Sequence, residues 1–308
     1  MRTAFAETLC ELVATDQRLW LLAGDLGYSV LERFQKCAPA RYVNVGVAEQ
    51  NLTGVAAGLA HSGKIVFTYS IANFPTLRCL EQIRNDVCYH ELPVKVVAVG
   101  GGFTYGSQGY THHGLEDLAV LRTLPGMTVV APGDPAETRL ATRAIAALPG
   151  PCYLRLGKAG EPEVHAAPPA FEIGKAIRVR EGGDATLIST GGMLKTAVTA
   201  ADRLRAAHGL EVRVLSMHTL KPLDEDAVRA AARETGVIVT LEEHSIIGGL
   251  GSATAETLAE TPGARCLFRR FGAPDRLHRR IGSQAYMREM FGDLDGLVRD
   301  LVRQKKEL

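Results

Sequence analysis

The sequence has no excess of charge of either sign. Its 308 residues include 35 Lys and Arg and 34 Asp and Glu, which gives a formal net charge of +1. This balance produces no field strong enough to attract nucleic acid, whose binding proteins carry basic patches or stripes. The arginines at 269–270 and 279–280 make the C-terminal stretch locally basic. Acidic residues are interleaved with them, so we interpret this stretch as a solvated surface.

The sequence also has no closely paired cysteines. Its six cysteines are dispersed along the chain, and none belongs to a C-x-x-C motif. This spacing suggests neither a disulfide framework nor a zinc site. We therefore predict no metal ligands in this chain and expect the cysteines to be small buried apolar residues.

No hydrophobic run is suited to cross a membrane or to act as a secretory signal. The longest uncharged stretch, 96–115, is long enough to span a bilayer but contains a glycine triplet and two histidines. Near the N-terminus, Glu7, Glu11 and Asp16 interrupt the region where a secretory peptide needs unbroken apolar residues. We therefore predict a cytoplasmic protein without membrane contact.

The composition is that of a folded enzyme. Hydrophobic residues make up 46% of the chain and charged residues 22%, which excludes a disordered or collagen-like protein. At roughly 150 residues per domain, the length indicates about two domains. The sequence contains no repeat of fixed period and no low-complexity tract.

Short β-rich runs alternate with helical patterns, which predicts βαβ units. The predicted fold class is therefore α/β, with two domains that each contain a mainly parallel sheet flanked by helices. Residues 161–172 contain three prolines and no apolar period, which predicts a linker between domains at 1–160 and 173–308. Strands are predicted at 19–23, 41–45, 65–69, 94–99, 127–131, 151–156, 175–180, 185–189, 212–216, 237–241 and 265–269. Helices are predicted around Phe5 to Val13 and at 49–61, 75–90, 115–123, 135–147, 194–207, 224–235 and 250–260.

Two glycine-rich turns are candidate anion sites. The first, VVAVGGGFTYG, follows a predicted strand, but Tyr105 stands where a G-x-G-x-x-G motif needs its third glycine. More loop follows it instead of a helix, which argues against a dinucleotide site. The second, at 248–258, leads into a helix whose free N–H groups are able to hold an anion. Because no partner lysine is present, a tight turn that packs helix on strand is the favoured interpretation.

Three further positions carry side chains suited to chemistry. Glu49 lies where a strand passes into a helix of small residues, a place where α/β sheets expose ligand-binding groups, although a Glu there also favours the helix dipole. His112 and His113 are adjacent in a glycine-rich loop, so at most one of them is expected to be catalytic. Phe74, at a predicted helix start, is either a core residue or a stacking platform.

Five short segments, read together, point to a family. Their order along the chain is that of a transketolase, and the sequence most closely resembles the C-terminal subunit of a split transketolase. The resemblance covers the pyrimidine-binding domain and the small C-terminal domain over essentially the whole chain. The segments are GDL at 24–26, NVGVAEQN at 44–51, LEQIRN at 80–85, YTHHGLED at 110–117 and MTVVAPGD at 127–134.

The resemblance implies thiamine diphosphate as cofactor. Glu49 matches the catalytic glutamate that hydrogen-bonds ring nitrogen N1′ of the aminopyrimidine and favours the tautomer that deprotonates the thiazolium carbon. Phe74 matches the aromatic residue that stacks on that ring. Asp25 lies in the loop that shapes the site, and Arg78 is included among the cofactor-binding residues.

The resemblance also implies a sugar phosphate substrate. Arg2, Ser29 and Arg155 match positions that bind the substrate phosphate, and arginine suits this role because its charge is permanent and its donors form a planar fork. Gly100 stands where a phosphate-contacting histidine is common. This departure predicts weakened phosphate recognition.

Contacts to the rest of the sugar depart from the family pattern in part. His112 matches the catalytic histidine that hydrogen-bonds substrate hydroxyls. Gln108 stands where transketolases usually carry an aspartate that contacts a sugar hydroxyl, which predicts an altered range of sugars. His113 occupies a position often held by glutamine, and its role stays open.

One family segment is missing from this chain. Transketolases hold the diphosphate and its Mg2+ with a G-D-G…N segment of an N-terminal domain, and GDL at 24–26 lacks its second glycine. The resemblance therefore implies an α2β2 assembly with a separately encoded N-terminal subunit, which would provide the Mg2+ ligands.

Three alternatives stay open. The β subunit of a 2-oxo acid dehydrogenase decarboxylase has the same two domains, but the segments at 80–85 and 110–117 favour a transketolase. Deoxyxylulose phosphate synthase is also related, but it is normally one longer chain. From another class, the chain would be a non-catalytic structural or regulatory paralogue, and the presence of Glu49 argues against this.

Overall fold

Strands and helices alternate through residues 1–158 and 160–307, the part of the chain that the computed structural model describes. Two mainly parallel sheets with helices packed against them confirm the predicted α/β fold class. The strands are β1 (Leu19–Ala23), β2 (Tyr42–Asn44), β3 (Ile65–Ile71), β4 (Val94–Val99), β5 (Thr128–Val130), β6 (Cys152–Leu156), β7 (Ile177–Arg180), β8 (Ala185–Ser189), β9 (Val212–Ser216), β10 (Thr219–Lys221), β11 (Val237–Ser245) and β12 (Leu267–Ala273). The helices are α1 (Arg2–Thr15), α2 (Glu32–Cys37), α3 (Glu49–His61), α4 (Leu80–Gln82), α5 (Asp117–Thr123), α6 (Pro135–Ala147), α7 (Leu194–His208), α8 (Glu225–Glu234), α9 (Leu250–Ala259), α10 (Gln284–Arg288) and α11 (Leu294–Glu307).

The first sheet has seven strands in the order β10, β5, β6, β4, β3, β1, β2. Every neighbouring pair is parallel except β10 with β5. Because helices cover both faces of a parallel sheet, its strands are buried on both sides and consist of nearly continuous apolar runs. All residues of β4 and β6 are buried accordingly.

The second sheet has five strands in the order β12, β11, β8, β9, β7. Only β7, which pairs with β9, is antiparallel to its neighbour. α7 and α11 contribute Leu194, Leu204, Val298 and Leu301 to the hydrophobic core on this sheet. The second sheet therefore has a core of its own.

Strand β10 links the two halves of the chain. It follows β9 of the second sheet, yet its Thr219 pairs with Val130 of β5 in the first sheet. The Lys221 ammonium donates to the main-chain oxygens of Arg122 and Leu124, at 3.0 and 2.5 Å. The sequence pattern did not predict this strand, since three residues are too few to show a period and their pairing depends on tertiary structure.

The remaining differences from the predicted elements are local. The helix predicted over 75–90 is divided into a 3₁₀ turn at Leu77–Cys79, the short helix α4 and a π-helical turn at Ile83–Cys88. Helices α2, α10 and α11 were not predicted. The buried Leu294, Val298 and Leu301 of α11 have the spacing of an amphipathic helix, which was the missed signal.

The expectation that all six cysteines are buried holds for only some of them. Cys79, Cys88 and Cys152 are buried, whereas Cys10 and Cys266 are half-buried and Cys37 is exposed. Cys37 ends α2, a surface helix that the sequence pattern did not predict, so its exposure was not anticipated. None of the helices in residues 1–158 and 160–307 combines the length and apolar composition needed to cross a bilayer.

Candidate active site

The loops that follow parallel strands β1 to β4 carry most of the predicted site residues. Asp25 follows β1, Glu49 follows β2, Phe74 follows β3, and His112 lies in the loop between β4 and α5. Because parallel strands end at the same edge of a sheet, these loops lie side by side. In α/β proteins this edge is where ligands bind.

Glu49 begins α3 and is fully buried, with no exposed side-chain surface. Ser70 Oγ donates to Glu49 Oε1 over 3.0 Å, and Arg78 Nη1 donates to Oε2 over 2.6 Å. The start of α3 adds the favourable field of the helix dipole. The carboxylate is thus buried with a partner on each oxygen.

Arg78 and Phe74 together connect Glu49 to His112. The guanidinium carbon of Arg78 lies 4.7 Å from the centre of the Phe74 ring. The His112 ring contacts the Phe74 ring edge-on, with ring centres 5.3 Å apart and planes at 75°. The structure therefore brings Glu49, Arg78, Phe74 and His112 together in one continuous group.

Asn73 joins the Phe74 loop to the His112 loop, a role that the sequence pattern does not reveal. Its Nδ2 donates to the main-chain oxygen of His113 over 2.6 Å and to that of Thr111 over 3.2 Å. Its Oδ1 is buried and has no hydrogen-bond partner in the described chain. The one available signal was an asparagine in the turn after a buried strand, where this residue type is common.

Asp25 shapes the neighbouring loop through a second missed asparagine. The Asp25 main-chain N–H donates to Asn44 Oδ1 over 3.0 Å, and Asn44 Nδ2 donates to Asp25 Oδ1 over 2.9 Å. Asn44 Oδ1 also accepts from the Gly46 N–H over 3.0 Å. Asp25 adopts a left-handed conformation with φ of 56°. This pairing fixes the chain just before Glu49.

Three of the predicted substrate residues lie apart from this group. Ser29 is exposed, has a left-handed φ of 64° and donates its N–H to Glu32 Oε1. Gln108 is exposed at the end of a 3₁₀ turn, and Arg2 is half-buried at the start of α1. Within the described residues, none of the three forms a hydrogen bond or ion pair with the Glu49 group. Their substrate roles stay predictions.

The glycine triplet at 100–102 allows three side chains to approach the main chain closely. A β-carbon at Gly100 would lie 2.2 Å from the Tyr105 ring, and one at Gly101 would lie 2.3 Å from Arg155 Nε. A β-carbon at Gly102 would lie 2.4 Å from Glu243 Cγ. Close packing thus accounts for these glycines, in agreement with the argument against a dinucleotide site. It also explains Gly100, because Tyr105 fills the space that a histidine there would need.

Arg155 is held inside the protein, with only 5% of its surface exposed. Its Nε donates to Asp117 Oδ2 over 2.8 Å, and its Nη2 donates to the main-chain oxygens of Gly114 and Glu243, at 2.6 and 2.9 Å. Tyr153 also donates to Asp117 Oδ2, and burial raises the pKa of this tyrosine well above its ordinary value. Arg155 lines a cavity of about 230 Å³ between the two sheets, together with Lys195 and other residues. The phosphate contact predicted for Arg155 would have to use its remaining nitrogen, Nη1.

The two adjacent histidines have different surroundings. His113 is buried, its Nε2 lies 3.3 Å from the Gly106 main-chain oxygen, and its ring meets Phe103 edge-on. Burial lowers the pKa of His113, which favours the neutral ring. His112 is half-buried and faces Phe74. The geometry therefore favours His112 as the residue that meets a ligand and His113 as a packing residue.

The second glycine-rich turn holds a side chain of this protein. Glu242 is buried, and its two carboxylate oxygens accept from the N–H groups of Leu250 and Gly251, both at 2.8 Å. Burial raises the pKa of Glu242. An internal carboxylate therefore takes the position that an external anion would need, and the turn serves packing.

The Glu49 group fits an aminopyrimidine ring. A β-carbon at Gly24 would lie 3.4 Å from Glu49 Oε1, so the missing side chain leaves space beside the carboxylate. Phe74 offers an aromatic ring on which a planar ligand can stack. Across residues 1–158 and 160–307, no three His, Cys, Asp or Glu side chains gather in a way that could hold a metal ion.

Comparison with known proteins identifies the family. The transketolase pyrimidine binding domain matches residues 1–161, and the transketolase C-terminal domain matches residues 174–293. The chain is 44% identical over 263 residues to one of the subunits of the apulose-4-phosphate transketolase of Phocaeicola vulgatus, covering 85% of this chain and 84% of that one. It is 42% identical over 293 residues to 6-deoxy-6-sulfo-D-fructose transketolase subunit SqwH of Clostridium sp. strain MSTE9, covering 95% and 90%.

A solved structure agrees with these relatives. It is described as a split gene transketolase, inactive beta4 tetramer, and it superposes with a TM-score of 0.87 at 39% identity. The match covers 98% of this chain and 97% of that chain. These matches confirm the resemblance found in the sequence. The chain belongs to the transketolase family, as the subunit of a split transketolase that carries the pyrimidine-binding and C-terminal domains.

Proposed function

We propose that this chain forms the pyrimidine side of a thiamine diphosphate-dependent active site that transfers a two-carbon ketol unit from a ketose to an aldose. Membership of the transketolase family implies the cofactor. The observation that carries the proposal is the continuous group of Glu49, Phe74 and His112 at the carboxyl edge of the first sheet. A site of this kind suits a planar ring beside a polar substrate.

Each member of the group has a distinct role in this proposal. When bound, thiamine diphosphate supplies the carbon nucleophile that breaks and forms the carbon–carbon bond. The buried Glu49 carboxylate would hold a proton at N1′ of the aminopyrimidine. Phe74 would pack against the ring, and His112 would hydrogen-bond hydroxyl groups of the sugar. Asp25 and Asn73 would keep the surrounding loops in place.

We further propose that activity requires a separately encoded N-terminal transketolase subunit in an α2β2 assembly. The sequence has no G-D-G…N segment, so the partner would supply the ligands for the diphosphate and Mg2+. The solved relative supports this proposal, because a tetramer of beta chains alone is described as inactive. A cytoplasmic location stays a prediction.

The donor substrate in this proposal is a ketose with an anionic group at its far end. Relatives are named for apulose 4-phosphate and for 6-deoxy-6-sulfo-D-fructose, which carry a phosphate and a sulfonate. Tyr105 fills the space beside Gly100, and Gln108 replaces the usual aspartate, so the pocket differs from that of a typical transketolase. Both differences support a donor other than the common pentose phosphates.

Mixing the two subunits tests the proposal. This chain, its partner and the mixture are assayed for ketol transfer with thiamine diphosphate, Mg2+ and a panel of phosphorylated and sulfonated ketoses. We expect transfer only in the mixture. A mixture made with Glu49→Gln is the matched control, because it reveals activity from a contaminating transketolase.

Two results would contradict the proposal. Ketol transfer by this chain alone would show that it needs no partner. A mixture that assembles and binds thiamine diphosphate, yet consumes none of the ketoses, would show that ketol transfer is the wrong reaction.

A further inference from the structure

Arg78 makes the two contacts that a bound aminopyrimidine would need. Its Nη1 donates to Glu49 Oε2 over 2.6 Å, and its guanidinium carbon lies 4.7 Å from the centre of the Phe74 ring. A flat cation thus lies over the aromatic ring and gives an N–H to the buried carboxylate. These are the same partners that the proposed function assigns to the cofactor ring.

The two groups are chemically alike. A guanidinium and a protonated aminopyrimidine share a planar N–C–N unit with N–H donors and delocalised positive charge. Ser70 Oγ donates to Glu49 Oε1 and Arg78 Nη1 donates to Oε2, so a ring nitrogen that bound Oε2 would take the place of the Arg78 donor. Arg78 and the cofactor ring would therefore compete for one oxygen and one aromatic face.

Arg78 is free to leave this position. Its side chain is 46% exposed, and in the described chain it has no hydrogen bond or ion pair other than the one to Glu49. It belongs to a three-residue 3₁₀ turn at the protein surface, whereas Glu49 is fully buried. Movement of the Arg78 side chain would leave the core unchanged.

A buried carboxylate without a counter-charge is strongly unfavourable, and Ser70 gives Glu49 only a neutral donor, so Arg78 supplies the counter-charge before any ligand arrives. We propose that Arg78 is a built-in stand-in for the aminopyrimidine: it closes the pocket of the cofactor-free chain and is displaced when thiamine diphosphate binds. This inference rests on the proposed function. It differs from the role as a cofactor ligand that the family resemblance implied for Arg78.

The stand-in role and the cofactor-ligand role predict opposite effects of removing the Arg78 guanidinium. A competing internal group lowers the fraction of open pocket and weakens apparent affinity by that fraction. Arg78→Ala should therefore lower the Kd for thiamine diphosphate about tenfold in the complex with the partner subunit. A cofactor ligand, or a residue that only holds Glu49 in place, would raise that Kd when removed.

The experiment is a calorimetric titration of thiamine diphosphate, at saturating Mg2+, into complexes made with the parent chain, Arg78→Ala or Arg84→Ala. Arg84 is the matched control: it is exposed, lies in the neighbouring π-helical turn, and its side chain hydrogen-bonds only Asn85 in the described chain. We expect tighter binding for Arg78→Ala alone. An unchanged or weaker affinity for this variant overturns the inference.

A second measurement needs no cofactor. In the full chain labelled with ¹⁵N-arginine, the Arg78 Nε signal, assigned by its loss in Arg78→Ala, should be displaced by the ring current of Phe74. Phe74→Leu should move this signal to the position of exposed arginines and leave the Arg84 signal unchanged. A signal that Phe74→Leu does not move overturns the inference even if Arg78→Ala disturbs folding.

The outcomes separate this inference from the proposed function. A parent complex that binds thiamine diphosphate, together with an Arg78→Ala complex that binds no more tightly, contradicts the inference alone. Absence of binding in both complexes contradicts the inference and the proposed function together.

Discussion

Arg155 and Asp117 form a buried ion pair at the contact between the two sheets. Their shortest separation is 2.8 Å, from Arg155 Nε to Asp117 Oδ2, and the Asp117 side chain has no exposed surface. The same guanidinium reaches the main-chain oxygen of Glu243, in β11 of the second sheet. The pair therefore helps to connect the loop that carries His112 to the second half of the chain.

Removal of Asp117 should destabilise the protein severely. Asp117→Ala leaves the buried Arg155 guanidinium without its counter-ion, and breaking a buried pair in this way costs about 3–5 kcal/mol. The measurement is the free energy of unfolding in urea. Glu181→Ala is the control, because it removes an exposed pair with Arg178 and should change stability by less than about 0.5 kcal/mol. Equal stabilities for the two variants would show that the buried pair contributes nothing.

The contribution of His165 to the stability of the protein should depend on pH. A hydrogen bond to Glu137, whose Oε1 lies 2.8 Å from His165 Nε2, raises the pKa of His165 above its ordinary value of 6.5. A raised histidine pKa contributes stability fully below the unfolded value, and the contribution disappears as pH rises through the folded value. His165→Ala should therefore cost about 1 kcal/mol near pH 5.5 and clearly less above pH 8.

The control for this prediction is His208→Ala, which changes an exposed histidine at the end of α7. Thermal unfolding of both variants and the parent chain across this pH range provides the comparison. A cost of His165→Ala that stays constant or grows with pH would contradict the assignment of a charged hydrogen bond to Glu137.

The adjacent histidines should respond differently to substitution. His112 faces Phe74, so His112→Asn should lower kcat/KM of the assembled enzyme by about 10²-fold while leaving stability nearly unchanged. His113 is buried against Phe103, so His113→Asn should mainly lower the melting temperature. Steady-state kinetics and thermal unfolding on both variants decide this. If His113→Asn lowered kcat/KM and His112→Asn mainly lowered the melting temperature, the two histidines would have exchanged roles.

Recognition of the anionic end of the donor should depend on Arg2. Arg2→Gln should lower kcat/KM for a phosphorylated or sulfonated ketose about tenfold or more, since a charge-assisted hydrogen bond is lost. The value for the matching uncharged ketose should change little. Arg155→Ala is less suitable for this test, because it would also leave the buried Asp117 without its counter-ion. Equal effects on charged and uncharged donors would remove Arg2 from the phosphate site.

Most of the framework follows from local sequence pattern. The strands predicted at 185–189 and 212–216 have the observed bounds, because buried β-rich runs between turns are a strong signal. β10 was missed because its pairing with β5 depends on contacts between distant parts of the chain. The predicted linker at 161–172 lies within the segment between β6 and β7.

The candidate site was predictable only in part. The pattern placed Glu49 at a strand–helix junction, but the grouping with Phe74 and His112 came from the family resemblance. Asn44 and Asn73 were missed, because their hydrogen bonds join loops that are distant in sequence. Arg155 has the right chemistry for an anion. However, its main partner Asp117 lies 38 positions earlier, so its burial was not visible from its neighbours.

The most direct test of this account is hydrogen–deuterium exchange at the thiazolium carbon of thiamine diphosphate bound to the assembled enzyme. Glu49→Gln retains the shape of the side chain, but the amide cannot share a proton with the ring nitrogen. We predict exchange at least about 10²-fold slower than in the parent enzyme, with the cofactor still bound. Unchanged exchange in Glu49→Gln would contradict the account, because the buried carboxylate would then have no part in activating the cofactor.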